Sequence, residues 1–217
     1  MIVDLNIQNK TVVIIGGGKE AQKRINSLLK QDCKIIVISD YANTEIIKLS
    51  KTRKIKFEKQ KIQNMEFVSR FKPSLIITTT NDKKINQKII DAAKRKKIIV
   101  YSSDNPEDSD FSNPAIIDFE NTIQIAIFTR GQSPIMSKRI KTKSERILKK
   151  IISKEDISQV KIQNIARKKA KESIFTQTQR REYLHKIIED KEIDQLIKDG
   201  QVKKAEKRAI TILRNLR

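Results

Sequence analysis

A glycine-rich turn near the N-terminus has the residue types and spacing that hold a dinucleotide. The apolar run Thr11–Ile15 leads into Gly16-Gly17-Gly18, and Ala21 completes the pattern G-x-G-x-x-A at the start of a predicted helix. In this pattern Gly16 makes the tight turn, Gly18 lets the backbone approach a pyrophosphate, and Ala21 permits close packing of helix on strand. The N–H groups at the start of that helix would face the phosphates.

An acidic residue follows at the position that contacts ribose in such sites. Asp40 comes after the apolar run Lys34–Ile38, about 20 residues beyond the glycine turn, where a carboxylate accepts hydrogen bonds from ribose hydroxyls. A carboxylate repels a 2′-phosphate, so Asp40 favours NAD over NADP. Glycines alone also fit a simple tight turn. The strand, the helix and the spaced Asp40 together favour NAD as cofactor.

Asp104 is the candidate for proton transfer. It lies in the loop Tyr101–Pro106, which follows another apolar run. Oxidation by hydride transfer also removes a proton from a neighbouring atom, and a carboxylate can accept that proton if burial raises its pKa towards neutrality. The competing interpretation is that Asp104 only opens an Asp-Asn-Pro turn. The residue pattern alone leaves both interpretations open.

Thr79 and Thr80 follow a further apolar run and are expected at the same edge of the sheet. Ligands bind along the carboxyl edge of parallel strands. Their hydroxyls are therefore candidates to contact ribose or nicotinamide. A run of threonines is also common where a strand simply ends.

Alternating strand and helix patterns position these loops. Five short apolar runs predict strands: Thr11–Ile15, Lys34–Ile38, Ile55–Phe57, Ser74–Thr78 and Ile98–Tyr101. Three stretches with apolar residues at spacings of three and four predict helices between them: Glu20–Lys30, Thr44–Lys51 and Lys84–Lys96. This alternation predicts an α/β fold with a Rossmann-type, doubly wound parallel sheet.

The pattern changes after the Asp104 loop. Two short strands are predicted at Ile116–Asp118 and Thr122–Phe128, and the rest of the chain is predicted to be helical. The predicted helices are Met136–Ser153, Asp156–Lys171, Gln177–Ile197 and Val202–Leu216. We therefore expect a nucleotide-binding domain over residues 1–112, a small α+β region over 113–150 and a basic helical domain over 151–217.

The chain has 217 residues and a formal net charge of +21, with the basic excess concentrated after residue 138. This charge fits a polyanionic ligand, and it fits equally a Lys- and Ile-rich composition whose charges only solvate the surface. Nucleic acid is an unlikely partner, because seven Phe, three Tyr and no Trp provide few stacking surfaces.

Several site classes are not expected. Cys33 is the only cysteine and His185 the only histidine, so neither a disulfide nor a Cys/His metal site is predicted, and the metal-ligand set is expected to be none. No apolar run approaches the length of a membrane span, and the N-terminus does not resemble a signal peptide. A cytoplasmic protein without membrane contact is expected.

Three segments resemble the precorrin-2 dehydrogenases, including the N-terminal portion of sirohaem synthases. The first is the glycine turn with its strand, Val12–Ala21. The second runs from Ser103 to Asp118 as SDNPEDSDFSNPAIID, and the third from Ile123 to Pro134 as IQIAIFTRGQSP, followed by Lys138-Arg139. The resemblance spans residues 1–150, and the last two segments are its most specific part.

The resemblance implies NAD-dependent oxidation of precorrin-2 to sirohydrochlorin, with Asp104 as the catalytic residue. It also implies a homodimer in which residues 113–150 form the dimerisation region. The residues implied to contact the cofactor are Gly16, Gly17, Gly18, Lys19, Glu20, Asp40, Tyr41, Thr79, Thr80, Ser102 and Ser103. Precorrin-2 carries several carboxylates, so the candidates to contact it are Thr129, Arg130, Ser133, Lys138 and Arg139.

Two functional alternatives stay open. Some members of the family also insert Fe²⁺ into the product, and the sequence does not decide whether this chain does. A regulatory module that senses NAD without turnover, as in potassium-transport regulators, shares the glycine turn and the acidic residue. The segments between Asp104 and Pro134 argue against such a sensor, because it has no need of them.

Overall fold

The computed structural model describes residues 2–174 and 176–215. It divides into two compact units, Met1–Asn113 and Pro114–Arg217. The division into three domains at residues 112 and 150 stays a prediction. Leu216, the predicted end of the last helix, lies outside the described residues.

The first unit is built on a five-stranded parallel sheet. Its strands are β1 (Thr11–Ile15), β2 (Lys34–Ser39), β3 (Lys56–Lys59), β4 (Leu75–Thr78) and β5 (Ile99–Ser102). They lie in the order β3-β2-β1-β4-β5, and every neighbouring pair is parallel. The strand order reverses between β1 and β4, which is where open α/β sheets bind ligands. The predicted Rossmann-type fold is confirmed.

Helices connect these strands. They are α1 (Lys19–Leu28), α2 (Thr44–Lys51), α3 (Glu66–Phe71) and α4 (Lys83–Arg95). Asn43 and Asp82 begin α2 and α4, where each side chain accepts a hydrogen bond from the backbone N–H three residues later. The short helix α3 was not predicted from the sequence.

The sheet is apolar on both faces because helices cover both. Val12 and Ile14 pack into one core with residues of α1, and Val13 and Ile15 pack into a second core with residues of α4. Alternate residues of a strand point to opposite faces, so a strand buried on both sides is a continuous apolar run. Each buried Ile or Val side chain stabilises the fold by about 1.5–3 kcal/mol.

The second unit combines a hairpin with helices. Strands β6 (Ala115–Phe119) and β7 (Ile123–Ile127) pair antiparallel. The helices are α5 (Pro134–Ile151), α6 (Lys154–Ser173), α7 (Gln177–Glu189), α8 (Lys191–Lys198) and α9 (Val202–Arg214). The small α+β region and the helical C-terminal part are confirmed.

The prediction of one helix over Gln177–Ile197 was wrong. The chain turns at Asp190, which ends α7 and begins α8. Its Oδ1 accepts a hydrogen bond from the N–H of Ile193 at 2.9 Å. An aspartate at this position stabilises a helix start and therefore favours two helices over one. Among the described helices, none is long and apolar enough to cross a membrane.

Candidate dinucleotide and proton-transfer site

The glycine turn between β1 and α1 leaves no room for side chains at its first two positions. Gly16 has φ of +116°, and a Cβ there would lie 2.4 Å from Thr79 Oγ1. A Cβ on Gly17 would lie 1.8 Å from the carbonyl oxygen of Tyr41. The turn is also tied to the next loop, because the N–H of Asn43 donates to the carbonyl of Gly17 at 2.9 Å.

Gly18 differs from the other two glycines because the space beside it is open. A Cβ on Gly18 would meet no atom within 4 Å. Gly18 is also the residue at which α1 begins, so no side chain caps the helix. The first N–H groups of a helix have no partner within it, and with the dipole they attract phosphate. This open, uncapped helix start fits the pyrophosphate of a dinucleotide.

A cavity of about 190 Å³ lies along the carboxyl edge beside this turn. Asp40 and Gly16 line it, together with Thr80 and Asp82 from the loop after β4. Tyr41 is 65% exposed. Because Asp40 and Gly16 line the same cavity, the structure brings Asp40 to the glycine turn, as the spacing predicts. A carboxylate at this position is suited to accept hydrogen bonds from ribose hydroxyls.

Lys19 and Glu20 lie in the first turn of α1. Lys19 is exposed, whereas the Glu20 carboxylate binds Lys23 at 3.0 Å and Arg24 at 2.5 Å. Partial burial raises the pKa of Glu20, but the hydrogen bond from Lys23 and the charge of Arg24 outweigh it and leave the pKa below its ordinary value. Arg24 in turn donates to the hydroxyl of Tyr101 at 3.0 Å. Arg24 thus connects α1 to β5 and Glu20 holds Arg24, while the contact of Glu20 with a cofactor stays a prediction.

The hydroxyls of Thr79 and Thr80 hold the loops of the site together. Thr79 Oγ1 donates to the carbonyl of Ile15 at 3.0 Å, directly before the glycine turn. Thr80 Oγ1 donates to Oδ1 of Asn86 at 2.6 Å. Their predicted contacts with ribose or nicotinamide would compete with these bonds.

Asp104 lies at the end of a hydrogen-bonded chain that starts in the sheet. Thr78 Oγ1 donates to Ser102 Oγ at 2.7 Å, and Ser102 Oγ donates to Asp104 Oδ1 at 2.5 Å. The same Oδ1 accepts from the Asn86 amide at 2.9 Å. Thr78, Ser102 and Asn86 are buried, while Asp104 itself is exposed. Two hydrogen bonds, from Ser102 and Asn86, therefore fix the Oδ1 atom of Asp104.

Burial does not raise the pKa of Asp104 towards neutrality. Burial does oppose ionisation, but the hydrogen bonds from Ser102 and Asn86 outweigh it, and the charge of Lys83 adds to them. The pKa of Asp104 therefore lies below its ordinary value. At neutral pH this residue is an ionised and oriented carboxylate that is ready to accept a proton, although it is a weak base.

The turn that follows Asp104 is stabilised by the next residue, Asn105. Asn105 Oδ1 accepts a hydrogen bond from the N–H of Asp108 at 3.3 Å, and its Nδ2 donates to Asp108 Oδ2 at 2.9 Å. The Asp104 side chain points instead to Ser102 and Asn86. The turn interpretation therefore applies to Asn105. Ser103 Oγ is buried and has no hydrogen-bond partner among the residues that the structure describes.

Asn86 contacts Asp104 directly and was not identified from the sequence. It lies on the buried face of α4 with Ile89, Ile90 and Ala93. A polar residue within an apolar helical stripe is a signal of a buried hydrogen bond, because burying an amide without a partner is costly. This signal was present in the spacing of Asn86 relative to the isoleucines.

The predicted substrate contacts lie in the second unit. Thr129 Oγ1 donates to the carbonyl of Ser133 at 3.2 Å, and Ser133 Oγ accepts from the N–H of Met136 at the start of α5. These hydroxyls stabilise the loop and the helix start. Arg130, Lys138 and Arg139 are exposed. Contacts of all five residues with a substrate stay predictions. Within the described part of the chain, no three His, Cys, Asp or Glu side chains form a cluster able to hold a metal ion.

Residues 3–115 match the protein family described as "Putative NAD(P)-binding". The chain belongs to this family. The match covers the sheet, the glycine turn and Asp104, and the printed description gives NAD(P) as the class of cofactor.

The relatives found by sequence are sirohaem synthases. The chain is 26% identical to the siroheme synthase of Actinobacillus succinogenes, across 95% of this chain and 41% of that protein. It is 28% identical to the siroheme synthase of Blochmanniella pennsylvanica, across 94% of this chain and 41% of that protein. The chain thus spans about two fifths of the length of these relatives.

A solved structure described as "SirC, precorrin-2 dehydrogenase" has a similar fold. It superposes with a TM-score of 0.69 at 20% identity, over 97% of this chain and 99% of that one. At this identity the likeness establishes the fold. The sheet, the hairpin and the helical C-terminal part therefore occur together in a known architecture.

Proposed function

We propose that the chain oxidises precorrin-2 to sirohydrochlorin with NAD⁺ as hydride acceptor, in sirohaem synthesis. The observation that carries the proposal is the Asp104 carboxylate, fixed by Ser102 at 2.5 Å and Asn86 at 2.9 Å at the sheet edge that carries the glycine turn. The names of the sequence relatives and of the similar structure supply the substrate. None of them supports a potassium-transport sensor.

The reaction removes a hydride and a proton from the substrate. NAD⁺ supplies the acceptor for the hydride when it is bound. Asp104 accepts the proton, and its low pKa ensures that it is ionised before the reaction begins. Ser102 and Asn86 hold one carboxylate oxygen, so the other oxygen is the one suited to meet the substrate. The balanced products are sirohydrochlorin, NADH and one proton.

We further propose NAD rather than NADP. Asp40 lies at the end of β2 and lines the cavity beside the glycine turn. A carboxylate at this position accepts hydrogen bonds from both ribose hydroxyls and repels a 2′-phosphate.

The basic residues of the second unit are proposed to bind the substrate carboxylates. Arg130, Lys138 and Arg139 are exposed near the start of α5. Charged groups on such flexible side chains attract a polyanion over distances near the Debye length. Thr129 and Ser133 hold the loop that presents Arg130.

The chain is proposed to act as a homodimer through α5. Four exposed apolar side chains lie along one side of this helix. Their exposed fractions are 42% for Met136, 38% for Ile140, 60% for Ile147 and 65% for Ile151. An exposed apolar stripe of this kind marks an interaction surface. A second copy of the same helix is the proposed partner, because a self-complementary patch generates a closed two-fold pair.

The experiment that tests the function is anaerobic incubation of the purified chain with enzymatically generated precorrin-2 and NAD⁺. Sirohydrochlorin is followed by its visible spectrum. NADH is followed by the near-ultraviolet absorbance of its reduced nicotinamide ring. We expect both to form in equal amounts. A folded protein that binds NAD and converts no precorrin-2 would overturn the proposal. Addition of Fe²⁺ after conversion then tests for insertion of iron.

A further inference from the structure

A groove between helices α6 and α7 has no role in the proposed reaction. The two helices run antiparallel, and Gln163 on α6 donates to the carbonyl of Leu184 on α7 at 3.0 Å. Beside this contact lie two adjoining cavities of about 530 and 450 Å³, which share Arg167 and Leu184. Both volumes lie in the range of small-molecule sites.

The second of these cavities is strongly basic. Arg167 and Lys171 contribute from α6, and Arg180, Arg181 and His185 from α7. None of the described residues that line it is acidic. Four permanent positive charges around one cavity repel each other unless an anion is bound, and guanidinium groups bind carboxylates in a bidentate geometry.

Two carboxylates of this unit pair with lysines that do not line the second cavity. Glu172 at the end of α6 pairs with Lys169 at 3.1 Å, and Glu120 of the hairpin pairs with Lys161 at 2.9 Å. These pairs neutralise lysines outside the second cavity. Among the described residues, no ion pair involves the four Arg and Lys side chains that line the second cavity, so their charge is left for a ligand.

The floor of the same cavity is apolar. It is formed by Ala170, Leu184 and Ile188, and Ile188 is 58% exposed. A large exposed isoleucine within a ring of cations fits a ligand that has an apolar face and anionic groups at its edge. Nucleic acid fits less well, because no described lining residue is aromatic and bases bind by stacking.

We propose that the groove between α6 and α7 binds an amphipathic polycarboxylate of the tetrapyrrole class, through residues that the proposed reaction does not use. The ring lies on Leu184 and Ile188, and its carboxylates bind Arg167, Lys171, Arg180 and Arg181. The ligand class rests on the proposed function. The groove itself rests only on the geometry and charge of the two helices.

The test uses uroporphyrin, a stable porphyrin octacarboxylate, as the probe. The full chain is titrated by isothermal calorimetry at several salt concentrations, and so are three double variants. Arg180→Gln/Arg181→Gln removes two charges from α7, and Arg167→Gln/Lys171→Gln removes two from α6. The control, Lys203→Gln/Lys207→Gln, removes two charges from exposed residues of α9 that do not line the groove.

We expect both groove variants to bind uroporphyrin at least about tenfold more weakly than the control, because each loses charge-assisted hydrogen bonds. The second groove variant guards against a folding defect in the first, and circular dichroism checks both. Affinity equal to that of the control in both groove variants would overturn the proposal. So would tighter binding of a short DNA duplex, lost in the groove variants, at physiological salt.

The conversion of precorrin-2 is measured separately on the same proteins. Loss of uroporphyrin binding in the groove variants supports the groove whether or not the chain oxidises precorrin-2. If the chain does not convert precorrin-2 but binds uroporphyrin in the groove, only the proposed reaction is contradicted. If the chain converts precorrin-2 but the groove variants bind uroporphyrin as tightly as the control, only the proposed groove is contradicted.

Discussion

The side-chain amide of Asn86 donates a hydrogen bond of 2.9 Å to Oδ1 of Asp104. The same Nδ2 donates to the carbonyl of Thr80, also at 2.9 Å. Asn86 therefore joins the loops that follow β4 and β5. It orients Asp104 and helps to keep it ionised, so we regard Asn86 as a positioning residue.

Replacement of Asn86 by leucine should shift the pH dependence of the reaction. The ionised form of Asp104 is the active one, so the rate falls as the pH drops through its pKa. Loss of the amide raises that pKa, because a donor to the charged form is removed. The acid limb of the kcat/KM profile should therefore move to higher pH. The exposed residue Lys88 on the same helix provides the control, Lys88→Ala.

Asn86→Asp separates this role from a purely structural one. A second carboxylate beside Asp104 favours a shared proton and should move the acid limb further up than leucine does. A structural role alone would lower the rate equally at all pH values. An acid limb that stays in place in both variants would contradict the assignment.

Asp104→Asn should abolish most of the conversion while leaving the fold intact. The amide has a similar size but cannot accept the proton, so we expect kcat to fall by about 10²–10⁴-fold. Asp91→Asn is the matched control, because Asp91 is exposed on α4. NAD binding, measured by calorimetry, should be unchanged in both. Equal activity of the two variants would show that Asp104 does not take part.

The glycines of the turn should respond differently to alanine. In Gly17→Ala the new Cβ would meet the Tyr41 carbonyl at 1.8 Å, so the backbone must shift and the protein should lose about 1–3 kcal/mol of stability. In Gly18→Ala the Cβ meets no protein atom within 4 Å. This variant should melt near the wild type yet bind NAD weakly, because the methyl group occupies the space of the pyrophosphate. Thermal unfolding and NAD calorimetry distinguish the two cases.

The same melting temperature for both alanine variants would show that the turn adapts to a side chain. Unchanged NAD affinity in Gly18→Ala would show that the pyrophosphate lies elsewhere. The two readouts therefore test separate statements about the turn.

Much of the first unit could be predicted because its strands are buried on both faces. Residues such as Val12–Ile15 have to be apolar, and the run ends where the chain leaves the sheet. The helix α3 was missed because six residues are too few to show a helical period. The break at Asp190 was missed because the sequence has helical spacing on both sides of it. The step of six residues from Ile187 to Ile193 and the capping side chain of Asp190 mark the break.

The site was predictable to the extent that it depends on position in the fold. Asp40 and Asp104 follow strands, and parallel strands bring such residues to one edge. The lowered pKa of Asp104 could not be predicted from the sequence, because it depends partly on Asn86, which lies 18 positions away in the sequence. The spacing of Asn86 within α4 indicates a buried hydrogen bond, but local spacing does not show that its partner is Asp104.

Replacement of Asp40 should relax the preference between cofactors. Asp40→Ser keeps a hydroxyl for the ribose but removes the negative charge that repels a 2′-phosphate. We expect the ratio of NAD to NADP affinity to fall by at least about tenfold, which corresponds to about 1.4 kcal/mol. Calorimetry with both cofactors measures the ratio. Asp82→Ser is unsuitable as a control because Asp82 caps α4, so Glu45→Gln serves instead on the exposed surface of α2.

The dimer should depend on the apolar stripe of α5. Ile147 and Ile151 are 60% and 65% exposed in the single chain, although their side chains would gain about 1.5–3 kcal/mol each from burial. Ile147→Glu places a charge in the proposed interface, and an unpaired buried charge is strongly unfavourable. Lys150→Glu changes an exposed residue of the same helix and provides the control. We expect sedimentation equilibrium to show a dimer for the wild type and the control and a monomer for Ile147→Glu, whereas a monomeric wild type would contradict the proposal.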